Sequence, residues 1–186
     1  MIIAGVDTET TGLTWGDHRF VELYVGLYDS DTRTKVDEYF TRVNPQRSIA
    51  IDAQRIHGIS AADVEHSPPF SDVALPFRNM LERGAAAVGH NWFGFDEPFI
   101  NYELERVKLP KLTVPGIDTM IQGRWATAMG TVPNLGALCW ACDISYDTSK
   151  AHAAQYDVDV MMECFFKGID WGWFEYPELV LIAAAA

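Results

Sequence analysis

The first half of the chain alternates apolar runs of strand length with polar punctuation, and the second half shifts to the three-to-four-residue apolar spacing of helices. Ile2 to Asp7 is a continuous apolar run ending in a carboxylate, and Arg19 to Tyr28 and Glu38 to Val43 follow as two more strands. Gly12 to Asp17 and Asp29 to Thr34 supply the turns between them. Beyond Asn44-Pro45 the pattern predicts a loop, then helices from about Ser60 and from Ser71 to Arg83, the latter with Ser71 as N-cap. Ala85 to Gly89 reads as a short strand. Pro98 suits the first turn of a helix that keeps Phe99, Ile100, Leu104 and Val107 at helical spacing and ends before Pro110. Further helices are predicted at Asp118 to Ala128, Leu135 to Cys142 and Ala151 to Lys167. Three successive strands followed by mixed helices and strands imply an α/β sandwich around a mixed, partly antiparallel central sheet.

Length and composition narrow the picture. At 186 residues the chain fits one domain, expected over residues 1–168, with an aromatic and apolar C-terminal tail over 169–186. Hydrophobic residues at 48% and charged residues at 22% are globular usage rather than disordered. No apolar run approaches the ~18 residues needed to cross a bilayer. Only six residues precede Asp7, which leaves no room for a leader, so a cytoplasmic protein without membrane contact is expected. Cys139 and Cys142 sit in an apolar helical stretch with no second pair after them, which favours two buried cysteines over half a zinc site. The tail Trp171 to Tyr176 is rich in aromatic rings, which would pack on the core or offer a surface to a protein partner or a second copy. The closing Ala183 to Ala186 carries no structural signal.

Net charge of −12 argues against a grip on long stretches of nucleic acid through phosphates. An acidic chain can still hold a polyanion where bound cations dominate the local field, provided it touches only a few nucleotides. Three motifs provide for such cations. Asp7 and Glu9 alternate to one face of the first strand, so like charges stand close unless a cation intervenes; a solvated strand end is the plainer alternative. Asp157 falls on the apolar face shared by Ala154, Val160, Met161 and Cys164, where an unpaired carboxylate costs several kcal/mol and needs a partner. Asp159, on the side of Gln155 and Glu163, is explained by solvent. His152, at the mobile start of the same helix, suits a general base better than a metal ligand, although an exposed histidine near a helix start needs no function. Asp96 ends the loop Gly89 to Asp96, where Asn91 and two glycines would let a phosphate chain approach; an N-cap would explain Asp96 equally.

Taken together, Asp7-x-Glu9, Asp96, and His152 with Asp157 resemble the DEDDh (DnaQ-like) 3′-5′ exonucleases. The continuation Thr10-Thr11-Gly12-Leu13 is similar to that of the proofreading subunits of bacterial replicative polymerases. Ile56-His57-Gly58-Ile59, Ile117-Asp118-Thr119-Met120 and Leu135 to Cys139 add to the likeness, which spans residues 2 to about 167. The resemblance implies a ribonuclease-H-like fold, two Mg²⁺ or Mn²⁺ ions, and release of nucleoside 5′-monophosphates from single-stranded 3′ ends, of DNA ahead of RNA. It implies that Asp7 bridges both ions, Glu9 and Asp157 complete one site, and Asp96 holds the other. His152 would take the proton of the attacking water, Thr8 and Thr10 would meet the terminal nucleotide, and Leu13, Ile56, His57 and Phe95 would line its base pocket. No clamp-binding peptide of the Gln-x-x-Leu-x-Phe kind is present. An exoribonuclease of the same fold, or a binding module that has lost catalysis, are the competing expectations.

Overall fold

The opening apolar run forms the centre of the molecule because both its neighbours are strands. In the computed structural model, which describes residues 1–177, β1 (Ile2–Thr10), β2 (Phe20–Asp29), β3 (Thr34–Arg42), β4 (Ala87–Gly89) and β5 (Gly116–Asp118) form one sheet in the order β3-β2-β1-β4-β5. β1 runs antiparallel to β2 and β2 to β3, whereas β1–β4 and β4–β5 are parallel. A strand covered on both faces needs apolar residues on both, which is why β1 and β2 do not alternate cleanly. β3, at the sheet edge, is mostly exposed.

Helices cover the two faces unequally. α3 (Phe70–Leu81) and α4 (Glu97–Arg106) pack with Ala4, Val6, Leu23, Val25 and Leu27 on one side. α6 (Leu135–Ala141) and α7 (Ala154–Trp171) pack with Ile3, Tyr24, Tyr28 and Val88 on the other. α1 (Ile51–His57), α2 (Ala61–Val64) and α5 (Thr119–Gln122) are short connecting helices. α7 lies unusually close to β1 because a Cβ at Gly5 would stand 2.8 Å from both Met162 Cγ and Val158 Cγ1. That approach sets the N-terminal turn of α7, with Asp157, over the C-terminal half of β1, with Asp7. Among the described residues no helix is long and apolar enough to cross a membrane.

Several sequence expectations shift. The predicted helix over Asp118 to Ala128 is only α5 followed by a 3₁₀ turn at Gly123–Ala126, and Gly116–Asp118 is instead an edge strand, paired through contacts no local pattern reports. Ser71 is not the cap of α3: Pro69 holds that position without a side-chain cap, and the Ser71 hydroxyl donates to Asp72. α1 lies where the pattern predicts a loop, because none of its residues is buried and it has no apolar stripe. α7 starts three residues later than predicted because His152 has a left-handed φ of 63°. Asp159 is not merely solvated, since it accepts a hydrogen bond from Tyr28 and pairs with Lys35 at 3.0 Å. Cys139 and Cys142 are buried as expected, with Cys164 Sγ 3.6 Å from Cys139 Sγ.

The tail turns back on the core as far as it is described. α7 ends at Gly172 with φ 71°, and Phe174 is buried against Phe165 and Trp125 while Trp171 and Trp173 stay about half exposed. The expectations for Ala183 to Ala186 lie outside the described residues. The Phe174 ring occupies the space a side chain at Gly168 would need, a Cβ there lying 2.2 Å from Phe174 Cδ2. Gly168→Ala gains about 1 kcal/mol of helix propensity, but expelling a buried aromatic ring forfeits about 3 kcal/mol, so the substitution should lower the melting temperature. Acrylamide quenching should show the tryptophans at 125, 171 and 173 more exposed; a variant as stable as the parent would show that the tail does not pack there.

Candidate active site

Strand, turn and helix each deliver one part of the site. β1 carries Asp7 and Glu9 on its α7-facing side, with a bulge between Glu9 and Thr10 that ends regular pairing to β2. Asp96 comes from a π-helical turn, Trp92–Asp96, entered through Asn91 at φ 77°. It stands at the N-cap position of α4 without a side-chain cap hydrogen bond; its carboxylate, 2% exposed, accepts a hydrogen bond from Thr8 Oγ1 at 2.8 Å. Asp157, one turn into α7, accepts from the His152 backbone N–H at 2.8 Å and from the Tyr146 hydroxyl at 3.2 Å. His152 is exposed, its left-handed backbone holding the ring outside the helix.

The carboxylates feel one another. Burial, then Glu9, Asp96 and Asp157, holds Asp7 well above the usual carboxylate range. Burial, then Glu22, Asp157 and Asp96, pushes Glu9 to about 9. Burial also raises Asp96 to about 7, with Asp118 adding to the rise and the Thr8 hydroxyl opposing it. Asp157 is raised by burial against the two hydrogen bonds it accepts. Such mutual destabilisation is relieved by a cation, and an all-carboxylate donor set suits hard divalent ions. Among the described residues no three side chains are gathered into a ready metal shell. Thr8, Tyr146 and the His152 backbone hold hydrogen bonds to two of the four carboxylates, Asp96 and Asp157.

Two cavities border three of these four carboxylates, and Asp96 borders neither. One, of about 670 Å³, is bordered by Asp7, Asp157 and His152 together with His90 and Tyr146. The other, of about 450 Å³, is bordered by Glu9 and by every residue expected to meet the nucleotide: Thr8, Thr10, Leu13, Ile56, His57, Asn91 and Phe95. Leu13 and Ile56 are 78% and 52% exposed, so this cavity has apolar walls open to solvent. The hydroxyls of Thr8 and Thr10 are committed to Asp96 and to the Gly12 carbonyl. His57 lies 3.2 Å from the Thr10 carbonyl through Nε2 and accepts from Ile59 N–H through Nδ1, an arrangement that places its proton on Nε2.

Sequence reasoning missed three supporting residues. Tyr146 holds Asp157 but sits in a loop with no periodic signal. His18 borders the base cavity and bonds Thr11. Asp118 is fully buried and accepts from the backbone N–H groups of Asn91, Phe93, Met120 and Ile121. It thereby clamps the turn that presents Asp96.

Residues 5–165 match the family described as Exonuclease (RNase T). The DNA polymerase III subunit epsilon of Rickettsia felis is 31% identical over 166 residues, 86% of this chain and 70% of that protein. Among solved structures, Escherichia coli exonuclease I in complex with a dT13 oligonucleotide aligns with a TM-score of 0.78 at 15% identity. That alignment covers 98% of this chain but only 45% of the exonuclease I chain. The nuclease domain of 3′hExo, a DEDDh family member bound to rAMP, aligns with a TM-score of 0.73 at 15% identity, covering 94% of both chains. The five-stranded mixed sheet is accordingly the ribonuclease-H-like fold.

Crowded carboxylates make a pH prediction for the metal-free protein. A carboxylate whose folded pKa is raised keeps its proton in the folded chain at a pH where the unfolded chain has lost it. Its stabilising contribution is therefore present at low pH and disappears as pH rises through the folded value. With unfolded values near 4 and folded values of about 7 for Asp96 and about 9 for Glu9, the melting temperature in EDTA should fall between about pH 4 and 9, most steeply below about pH 7. Glu9→Gln should flatten the upper part of that fall, and saturating Mg²⁺ or Mn²⁺ should remove most of it. Calorimetric melts at fixed ionic strength check this, and a melting temperature independent of pH would mean that the carboxylates do not converge.

Proposed function

The chain belongs to the exonuclease family and is a 3′-5′ exonuclease, and on that premise we propose that it removes nucleoside 5′-monophosphates from single-stranded DNA 3′ ends. The observation that supports this reading is the mutual repulsion felt by Asp7 and Glu9 from Asp96 and Asp157, beside one cavity bordered by Asp7 and Asp157 and an apolar one bordered by Glu9. Asp7, Glu9 and Asp157 would hold one divalent ion and Asp7 with Asp96 a second, Mg²⁺ or Mn²⁺ by the hardness of the donors. When bound, such ions stabilise negative charge on the attacking and leaving oxygens of an in-line displacement.

The chain's own residues do the rest. The backbone N–H of His152 is tied to Asp157, and its exposed ring makes no hydrogen bond among the described residues, so the imidazole is free to accept a proton. It takes that proton as the water oxygen bonds to phosphorus and the bond from phosphorus to the 3′ oxygen breaks. Tyr146 and Asp118 are positioning residues, the first for Asp157 and the second for the turn bearing Asp96. Leu13 and Ile56 grip the terminal base from the exposed walls of the second cavity, while the backbone of Thr8 to Thr10 meets its sugar and phosphate. The acidic surface elsewhere restricts the enzyme to a few terminal nucleotides and makes degradation distributive.

Hydrolysis of a 5′-labelled single strand should yield a ladder shortening from the 3′ end with Mg²⁺ or Mn²⁺ and nothing in EDTA. Asp157→Asn should abolish it while the fold survives, and His152→Ala should lower the rate about 10² to 10⁴-fold with little change in metal affinity. Equal or faster cleavage of a matched RNA strand would move the substrate assignment to RNA, and full activity in Asp157→Asn would overturn the site.

The apolar walls generate a separate expectation. Leu13→Ala and Ile56→Ala should each raise KM for oligonucleotides about 5- to 10-fold, as expected for the loss of ~1 to 1.4 kcal/mol of apolar contact. Unchanged steady-state constants in both variants would remove the base from that cavity.

A further inference from the structure

Away from the catalytic cleft, much of the positive charge near the base cavity collects in one small concavity on the α3 and α4 face of the sheet. A cavity of about 290 Å³ lies between the start of β2, the loop after β3, the beginning of α3 and the last turn of α4. Arg19, Arg47 and Arg106 all border it, and Glu103 is the one carboxylate among its lining residues. Three guanidinium groups against one carboxylate leave an excess of two positive charges, in a chain whose net charge is −12.

Glu103 organises the cluster rather than neutralising it. Fully buried, it accepts from Arg106 Nε and Nη2 at 2.9 and 2.7 Å and lies 3.6 Å from Arg19 Nη1. A bidentate pair of this kind fixes the guanidinium plane and leaves its outer Nη1 donors unspent. Arg19 is further held by the carbonyls of Gly16 and His18. Arg47 is exposed and has neither a hydrogen bond nor an ion pair among the described residues. α3 begins at the rim with Pro69 and no side-chain cap, which adds partial positive charge to the same space.

We propose that this cavity is a phosphate-binding site, in which Arg19 and Arg106 form the fixed wall and Arg47 closes over the anion. Its volume falls just below the usual range for organic ligands, which favours a phosphate group over a whole nucleoside. The site is joined to the base cavity through the backbone. Thr11 N–H donates to the Arg19 carbonyl, Arg19 N–H donates to Thr11 Oγ1, and Thr10 and Gly12 on either side of Thr11 line that cavity. The phosphate is either a backbone diester of the nucleic acid being degraded or a free anion. Only the first assignment rests on the proposed function.

Titrating the full chain in EDTA with sodium phosphate, against chloride at matched ionic strength, tests the site apart from catalysis. Phosphate should raise the melting temperature beyond chloride, in Asp157→Asn as in the parent. Arg47→Ala and Arg47→Glu should weaken the apparent affinity about tenfold or more, the loss of one charge-assisted hydrogen bond, while Arg47→Lys keeps most of it. If the anion is a strand phosphate, the dependence of log KM on log salt for a long single strand should become shallower by about 0.7 in Arg47→Ala. A salt dependence unchanged while phosphate binding is lost identifies a free anion. No stabilisation beyond chloride, or equal phosphate affinity in the parent, Arg47→Ala and Arg47→Glu, overturns the site. Loss of nuclease function with phosphate binding intact would overturn only the catalytic reading.

Discussion

α7 crosses β1 at a distance that only a glycine at position 5 permits, and that contact decides where the carboxylates of the two elements stand relative to one another. With a larger residue at Gly5, Val158 and Met162 would have to withdraw, carrying Asp157 away from Asp7. The approach has an electrostatic cost, visible as the raised pKa of Asp7 and Glu9, and the apolar packing of α7 against β1 and β2 offsets it. A well-buried core thus enforces a repulsive cluster, as expected of a site built to receive cations.

Behind the carboxylates, the positioning is done largely by backbone hydrogen bonds. Asp118 gathers four N–H groups from two segments and fixes the turn that brings Asp96 to Thr8. Trp92, fully buried within that turn, packs against Gly116 so closely that any side chain there would collide with it. A three-residue edge strand and a five-residue π-helical turn therefore act as one rigid bracket. On the other side of the cleft, Tyr146 and the His152 backbone hold Asp157 in place, while the imidazole of His152 remains exposed.

Charge is distributed along the same division. The α7 face gathers acids for cations, and the opposite face, at the same end of the sheet, gathers the guanidinium groups of Arg19, Arg47 and Arg106 around Glu103. Thr10 to Leu13 connect the two, with Leu13 on the exposed wall of the base cavity and Thr11 bonded to Arg19. A chain that is strongly acidic overall can in this way present opposite local fields to different parts of one phosphate-bearing ligand.

The amino-acid sequence by itself determined the strands β1 and β2 and the apolar face of α7, each of which rests on periodicity among a few neighbours. The five residues proposed for the chemistry rest on a resemblance spread over residues 2 to about 167, since none of their motifs is decisive alone. The sequence did not reveal β5, whose three residues are a strand only because β4 lies beside them, or α1, which buries nothing. It placed His152 on the helix, whereas the backbone there is left-handed and its N–H donates to Asp157, five residues further on. Tyr146, Asp118 and the arginine cluster belong to separate stretches of chain, and their roles depend on distances across the fold. Local spacing reports which face a side chain takes; which partner it meets there is decided only when the sheet and helices close on one another.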